Sequence, residues 1–130
     1  MPSSLPFSVL EQLAQEQAHF DEAPSAFFDA WKQGVRLAGP HFFGDGQPDV
    51  LARAKSKWDL APDLSRIGQA LGVLSSGERV FIAALASFYN AHDSQELLRR
   101  AGVQGLADLG TLDLQRRQVI AALLLHYTGW

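Results

Sequence analysis

Residues 71–90, LGVLSSGERVFIAALASFYN, decide how the rest of the chain is read. A leucine-glycine pair and a short turn lead to Ser75, with Glu78 three residues on. That is the spacing of a capping box: the hydroxyl accepts an orphan amide of the helix start and the carboxylate reaches back to the N–H of the cap. The run that follows, VFIAALASFY, is apolar almost all the way round. A helix with so little polar surface is expected to be enclosed by protein, and this one is far too short to span a bilayer.

The same text returns at the end of the chain. Shifted by 38 residues, LGTLDLQRRQVIAALLLHYTG (109–129) falls on the first stretch, with Gly72, Arg79 and Tyr89 meeting Gly110, Arg117 and Tyr127. Asp113 replaces Ser75 as the cap, but Arg116 stands where the box needs a carboxylate. Two helical hairpin units, 71–90 and 109–128, are therefore expected as an internal repeat. Their buried helices are expected to pack on each other at the centre, and Arg79 and Arg117 to pair with carboxylates across the repeat axis or lie at the surface.

Outward from this repeat, the periodicity predicts helices only. Ser8 with Glu11 opens one to about His19, with Val9, Leu10, Leu13 and Ala14 inward. The sequence Asp21-Glu22-Ala23-Pro24-Ser25 predicts a break, and a second helix over 25–37 presents Phe27, Phe28, Trp31 and Val35 before Gly39-Pro40 ends it. Further helices are expected over 49–58, 64–71, 76–91, 95–101 and 114–127, with Asp93 and Glu96 boxing the start of 95–101 and a helical turn near 105–109. No segment alternates with period two, so no sheet is expected. The fold class is all-α: one compact domain, 1–130, of about six to seven helices.

Composition limits the function. The chain has 130 residues and no cysteine, which excludes disulfides and thiolate metal sites and fits a reducing compartment. Arginine, alanine and glycine are favoured over lysine, as in a GC-rich bacterial genome. The opening MPSSLPFSVLEQL lacks a basic segment followed by an apolar run, so no secretory leader and a cytoplasmic location are expected. Net charge is −3, with eight acids and five bases in residues 1–60 and six of each in 61–130. No basic stripe is present, so nucleic acid is disfavoured as a partner, and no stretch reaches membrane-span length.

No catalytic signature is present: no GxSxG, HExxH, Walker loop or GxGxxG. His19, His41, His92 and His126 are scattered singly, and Asp45, Gln47 and Asp49 lack the glycine and terminal glutamate of a calcium loop. No metal and no cofactor are therefore expected. Two clusters remain as candidate sites. If the two long helices end together, Tyr89, His92, Asp93, His126 and Tyr127 would line one ligand pocket, with Asp93 orienting His92 as a base. The loop His41-Phe42-Phe43-Gly44-Asp45-Gly46 and the terminal Trp130 carry aromatics that either fold inward, the loop as a core plug, or meet a partner.

Residues 64–80 and 94–103 faintly echo a helix-turn-helix, but the spacing after the glycine is wrong and the following helix too apolar to read bases. The reading that remains is a non-catalytic protein-interaction or adaptor module, its partner another protein or a second copy in a homodimer. A helical ligand-binding or enzymatic domain with the Tyr89–Asp93 and His126 pocket is the alternative, and a DNA-binding regulator using the C-terminal arginines the second.

Overall fold

In the computed structural model, which describes residues 5–130, the chain is all-helical. Six α-helices occur among the described residues: α1 (Phe7–Ala38), α2 (Val50–Arg53), α3 (Leu64–Ala70), α4 (Ser76–Tyr89), α5 (Gln95–Ala101) and α6 (Leu114–His126). Four 3-10 segments, Pro40–Phe42, Lys57–Leu60, Leu71–Val73 and Leu106–Thr111, lie between them. The sole β feature among the described residues is an isolated bridge between Phe43 and Pro62.

α4 is the axis. Every side chain from Val80 to Ala86 is buried, so that stretch of the helix meets protein on all sides. Its start is built as the sequence predicts: Ser75 Oγ accepts from the Glu78 amide, and Glu78 Oε1 accepts from the Ser75 amide at 2.9 Å. α1 and α6 lie against α4 and run antiparallel to each other, Gly34 of α1 sitting near Val119 and His19 near Leu125 and His126. At Gly34 all three helices meet. A Cβ there would stand 3.1 Å from Leu85 Cδ2 and 3.3 Å from Val119 Cγ1, inside ordinary packing distance.

Several expectations are corrected. The two helices predicted over 8–19 and 25–37 are one helix of 32 residues that runs through Pro24. Proline removes one amide and crowds the carbonyl of residue 20, a cost of roughly 3 kcal/mol in a helix interior. It is offset here because Ala23, Phe27, Ala30, Trp31 and Val35 are buried in one helical register. The Gln17 Nε2 to Asp21 Oδ1 bond, at 2.8 Å, supports the turn that leads into the expected break. Ser8 therefore lies inside α1, whose N-cap is Pro6.

Val9, Leu10, Leu13 and Ala14, expected inward, do not enter the core; apart from half-buried Val9 they are exposed, because the continuous helix carries them past the end of the body. The helix expected over 49–58 is split into α2 and Lys57–Leu60 by Ala54 and Ser56, both extended. Asp93 does not cap α5; Ser94 holds that position without a side-chain bond, and Asp93 accepts from Asn90 Nδ2 instead.

The two related segments are built alike locally. Each passes through a 3-10 turn, an extended leucine and a capping side chain that accepts the amide three residues on. In each, the matching arginine bonds the carbonyl five residues back: Arg79 Nε to Leu74 O at 3.0 Å and Arg117 Nε to Leu112 O at 2.7 Å. Neither pairs across a repeat axis. Their surroundings differ. α6 buries Val119, Ile120 and Leu123 but exposes Leu114, Ala121, Leu124 and Leu125, so its apolar outer face is open to solvent instead of enclosed.

Leu85→Ala and Leu123→Ala should each cost about 2–5 kcal/mol in urea unfolding, whereas Leu125→Ala should stay within about 0.5 kcal/mol. Gly34→Val, which overpacks the three-helix contact, should cost about 1–3 kcal/mol.

Candidate functional site

The two long helices do end together, and what forms there is an aromatic cluster. Trp130 lies 4.7 Å from Trp31 and 5.2 Å from Tyr89 between ring centroids, both edge to face. Phe27, Trp58, Phe88 and Tyr127 complete the group. Trp31 donates its indole N–H to Leu60 O at 2.9 Å, which satisfies the one polar atom of a fully buried ring.

Lys57 closes the cluster. Its ammonium sits 5.4 Å from the centroid of Phe27 and 5.3 Å from that of Trp130, and donates to Gly129 O at 2.6 Å. Burial lowers the pKa of this amine, while the ring faces and the carbonyl favour its charged form. The bond ties the C-terminal turn to the segment Lys57–Leu60.

The pocket expected from Tyr89, His92, Asp93, His126 and Tyr127 is not assembled by this meeting. Tyr89 and Tyr127 are spent on ring contacts, and His126 turns away to stack on His19 at 5.1 Å. His92 and Asp93 stay exposed in the turn after α4, where Asp93 engages Asn90, not His92. The predicted partner-contact residues Phe42 and Phe43 are likewise not presented. Both are buried, Phe43 completely, as the plug between α1 and the chain around Pro62. Gly44 makes that plug possible, since at its φ of 57° a Cβ would run into the Asp59 carbonyl and Val50.

A charged concavity of ≈ 420 Å³ lies beside Asp45, Arg53, Lys55 and Asp59, and its carboxylates find partners within the chain. Asp45 there accepts from the Gln47 amide and from Arg53 at 2.7 Å, contacts that hold its pKa below the ordinary carboxylate value. Asp59 accepts the Lys55 and Ser56 amides. Among the described residues no group of three His, Asp or Glu side chains is arranged to hold a metal ion. Of the C-terminal arginines, Arg99 pairs with Glu96 and Arg116 with Asp113, while Arg100 and Arg117 bond backbone carbonyls. Among the described residues no helix is long and apolar enough to cross a membrane.

A different concavity, ≈ 310 Å³, is almost wholly apolar. Its floor is Ala84 and Phe88 of α4 with Ile120 of α6, and its walls are Leu98 of α5, Leu106 and Leu109 of the 3-10 segment, and Leu124 of α6. Ser87, one of its few polar side chains, already donates to Ala84 O at 2.6 Å. Leu106 and Leu124 on the rim are 81% and 65% exposed. The surface continues past Leu109 and Ile120 into a second concavity of ≈ 250 Å³ bounded by Ala121 and Arg117.

Local chemistry shapes this groove. Gly102, left-handed at φ 85°, closes α5, and the Val103 amide bonds Leu98 O at 2.8 Å, turning the chain back along α4. Asp108 Oδ2 then accepts the Gln104 and Gly105 amides at 2.7 and 3.1 Å, bonds that lower its pKa and fix the start of Leu106–Thr111. These groove residues were not singled out from the sequence. The signal that could have found them is Val103, Leu106, Leu109 and Leu112 at every third position, the period of a 3-10 helix.

No family of known proteins matches the chain, and neither a curated protein nor a solved structure matches it. Trp130→Ala should cost about 2–4 kcal/mol in chemical unfolding, while His92→Ala and Asp93→Ala should stay within about 0.5 kcal/mol. The Asp108 contribution is present above the ordinary carboxylate pKa and lost as pH falls through the lower folded value. The stability gap between the parent and Asp108→Asn should therefore be widest near neutral pH and close as the solution is acidified below about pH 4.

Proposed function

We propose that this chain is a non-catalytic protein-interaction module, and that its working surface is the apolar groove between α4, α5, Leu106–Thr111 and α6. The observation that carries the reading is the contrast between this groove and the charged concavity. The groove exposes leucines on its rim to water and offers almost no hydrogen-bonding group, whereas Asp45, Arg53 and Asp59 of the charged concavity are taken up by partners within the chain. Exposed apolar surface in a concave, preformed shape is what an apolar side-chain anchor of another protein needs. A chain without cysteine has no disulfide to maintain, so the same reading keeps a bacterial cytoplasmic setting.

The absence of cysteine also makes the test clean. A photoreactive label on Leu124→Cys or Leu106→Cys, irradiated in extract of the source cells, should give protein adducts that unlabelled parent protein competes away. The same label on Ser65→Cys, at an exposed site on α3, should give none. Equal labelling at all three positions, or no protein adduct at the groove, would rule the reading out.

A further inference from the structure

The molecule carries an uncovered ridge as well as an uncovered groove. Beyond the point where His19 meets Leu125 and His126, α1 continues toward its N-terminus as an arm whose large apolar side chains are exposed. Phe7 is 75% exposed there, and Leu10, Leu13 and Phe20 are exposed as well. Val9, Leu13 and Phe20 prolong the line of the helix that buries Phe27 and Trp31 in the body, so the arm presents core-type side chains to solvent. From residue 7 to residue 18 it reaches about 18 Å, at 1.5 Å per residue.

Resting on the reading of the groove as an interaction surface, we propose that its occupant is the α1 arm of a second copy of this chain. Charge selects this pairing over others. Residues 5–22 contain four acids, Glu11, Glu16, Asp21 and Glu22, and neither lysine nor arginine. Two arms laid together would oppose carboxylate to carboxylate with no cation between them. At the groove, Arg117 lines the continuation of the apolar surface. It holds the backbone carbonyls of Leu112 and Gly110 and forms no ion pair among the described residues. An acidic, leucine-bearing helix is the complement of that surface in both shape and charge.

The arm cannot serve the groove of its own copy, because α1 is continuous through Pro24 and its buried register from Ala23 to Val35 directs the arm away from the body. Between two copies the exchange is reciprocal, each arm entering the other groove, which closes the contact as a dimer.

The test uses the full chain and two variants at exposed positions. Leu10→Glu with Leu13→Glu disables the arm; Leu106→Glu with Leu124→Glu disables the groove; circular dichroism and thermal melts check that both still fold. Sedimentation velocity should find the parent chain dimeric, and each variant should raise the dissociation constant at least about tenfold. Mixing the two variants, one carrying a heavy-isotope label, should restore a heterodimer in native mass spectra. The intact arm of the groove variant then meets the intact groove of the arm variant.

A dimer that survives the groove variant, or a mixture without heterodimers, would point to arm–arm pairing and overturn the proposal. So would a monomeric parent chain. If the labels at Leu106→Cys and Leu124→Cys still captured foreign proteins, the interaction module would stand and only the second-copy occupant would fall. If they captured nothing, both would fall.

Discussion

The enclosure of α4 is the constraint on which the rest of the molecule depends. With every residue from Val80 to Ala86 buried, that stretch of the helix leaves no side to solvent and its neighbours must surround it; toward its end, at Ser87 and Phe88, it lines the groove. α1 and α6 cover it where Leu85 and Val119 pack onto Gly34, and α5 closes another side. The capping box of Ser75 and Glu78 sets where this core helix begins, and therefore which residues fall in the enclosed run. The aromatic cluster around Trp31 and Trp130 seals one end, tied across by Lys57 and the Gly129 carbonyl.

In this domain one helix is enclosed and the helix that resembles it in sequence is not. α6 matches α4 closely in sequence, yet it occupies an outer position and leaves Leu114, Leu124 and Leu125 at the surface. The same side chains that would be core in α4 become the wall of a groove in α6. A buried leucine and a binding-surface leucine are chemically the same residue; only the presence of a neighbour distinguishes them.

The arm of α1 makes the same point. Val9, Leu13 and Phe20 lie on the helical face that buries Phe27 farther along, and nothing in that spacing tells where the body stops. Pro24 looks like the boundary between two helices because the local cost of proline in a helix is large. The burial of Ala23, Phe27 and Trp31 in one register outweighs it. A local signal lost to a tertiary one, and a 32-residue helix resulted where two short ones were expected.

Local chemistry made a good part of the architecture legible from the residues alone. The caps Ser75 and Asp113, the extents of α3 to α6 within a residue or two, and the all-helical class all depend on interactions within four or five residues of chain. The inward fold of Phe42 and Phe43 follows from the cost of leaving two adjacent phenyl rings in water. Which helix is enclosed, which apolar faces stay uncovered, and whether His92, Asp93 and His126 converge are decided by contacts between residues far apart in the chain. Hydrophobic burial is non-directional, so the sequence marks the side chains that favour a partner, and only the tertiary packing settles which of them find one within the fold.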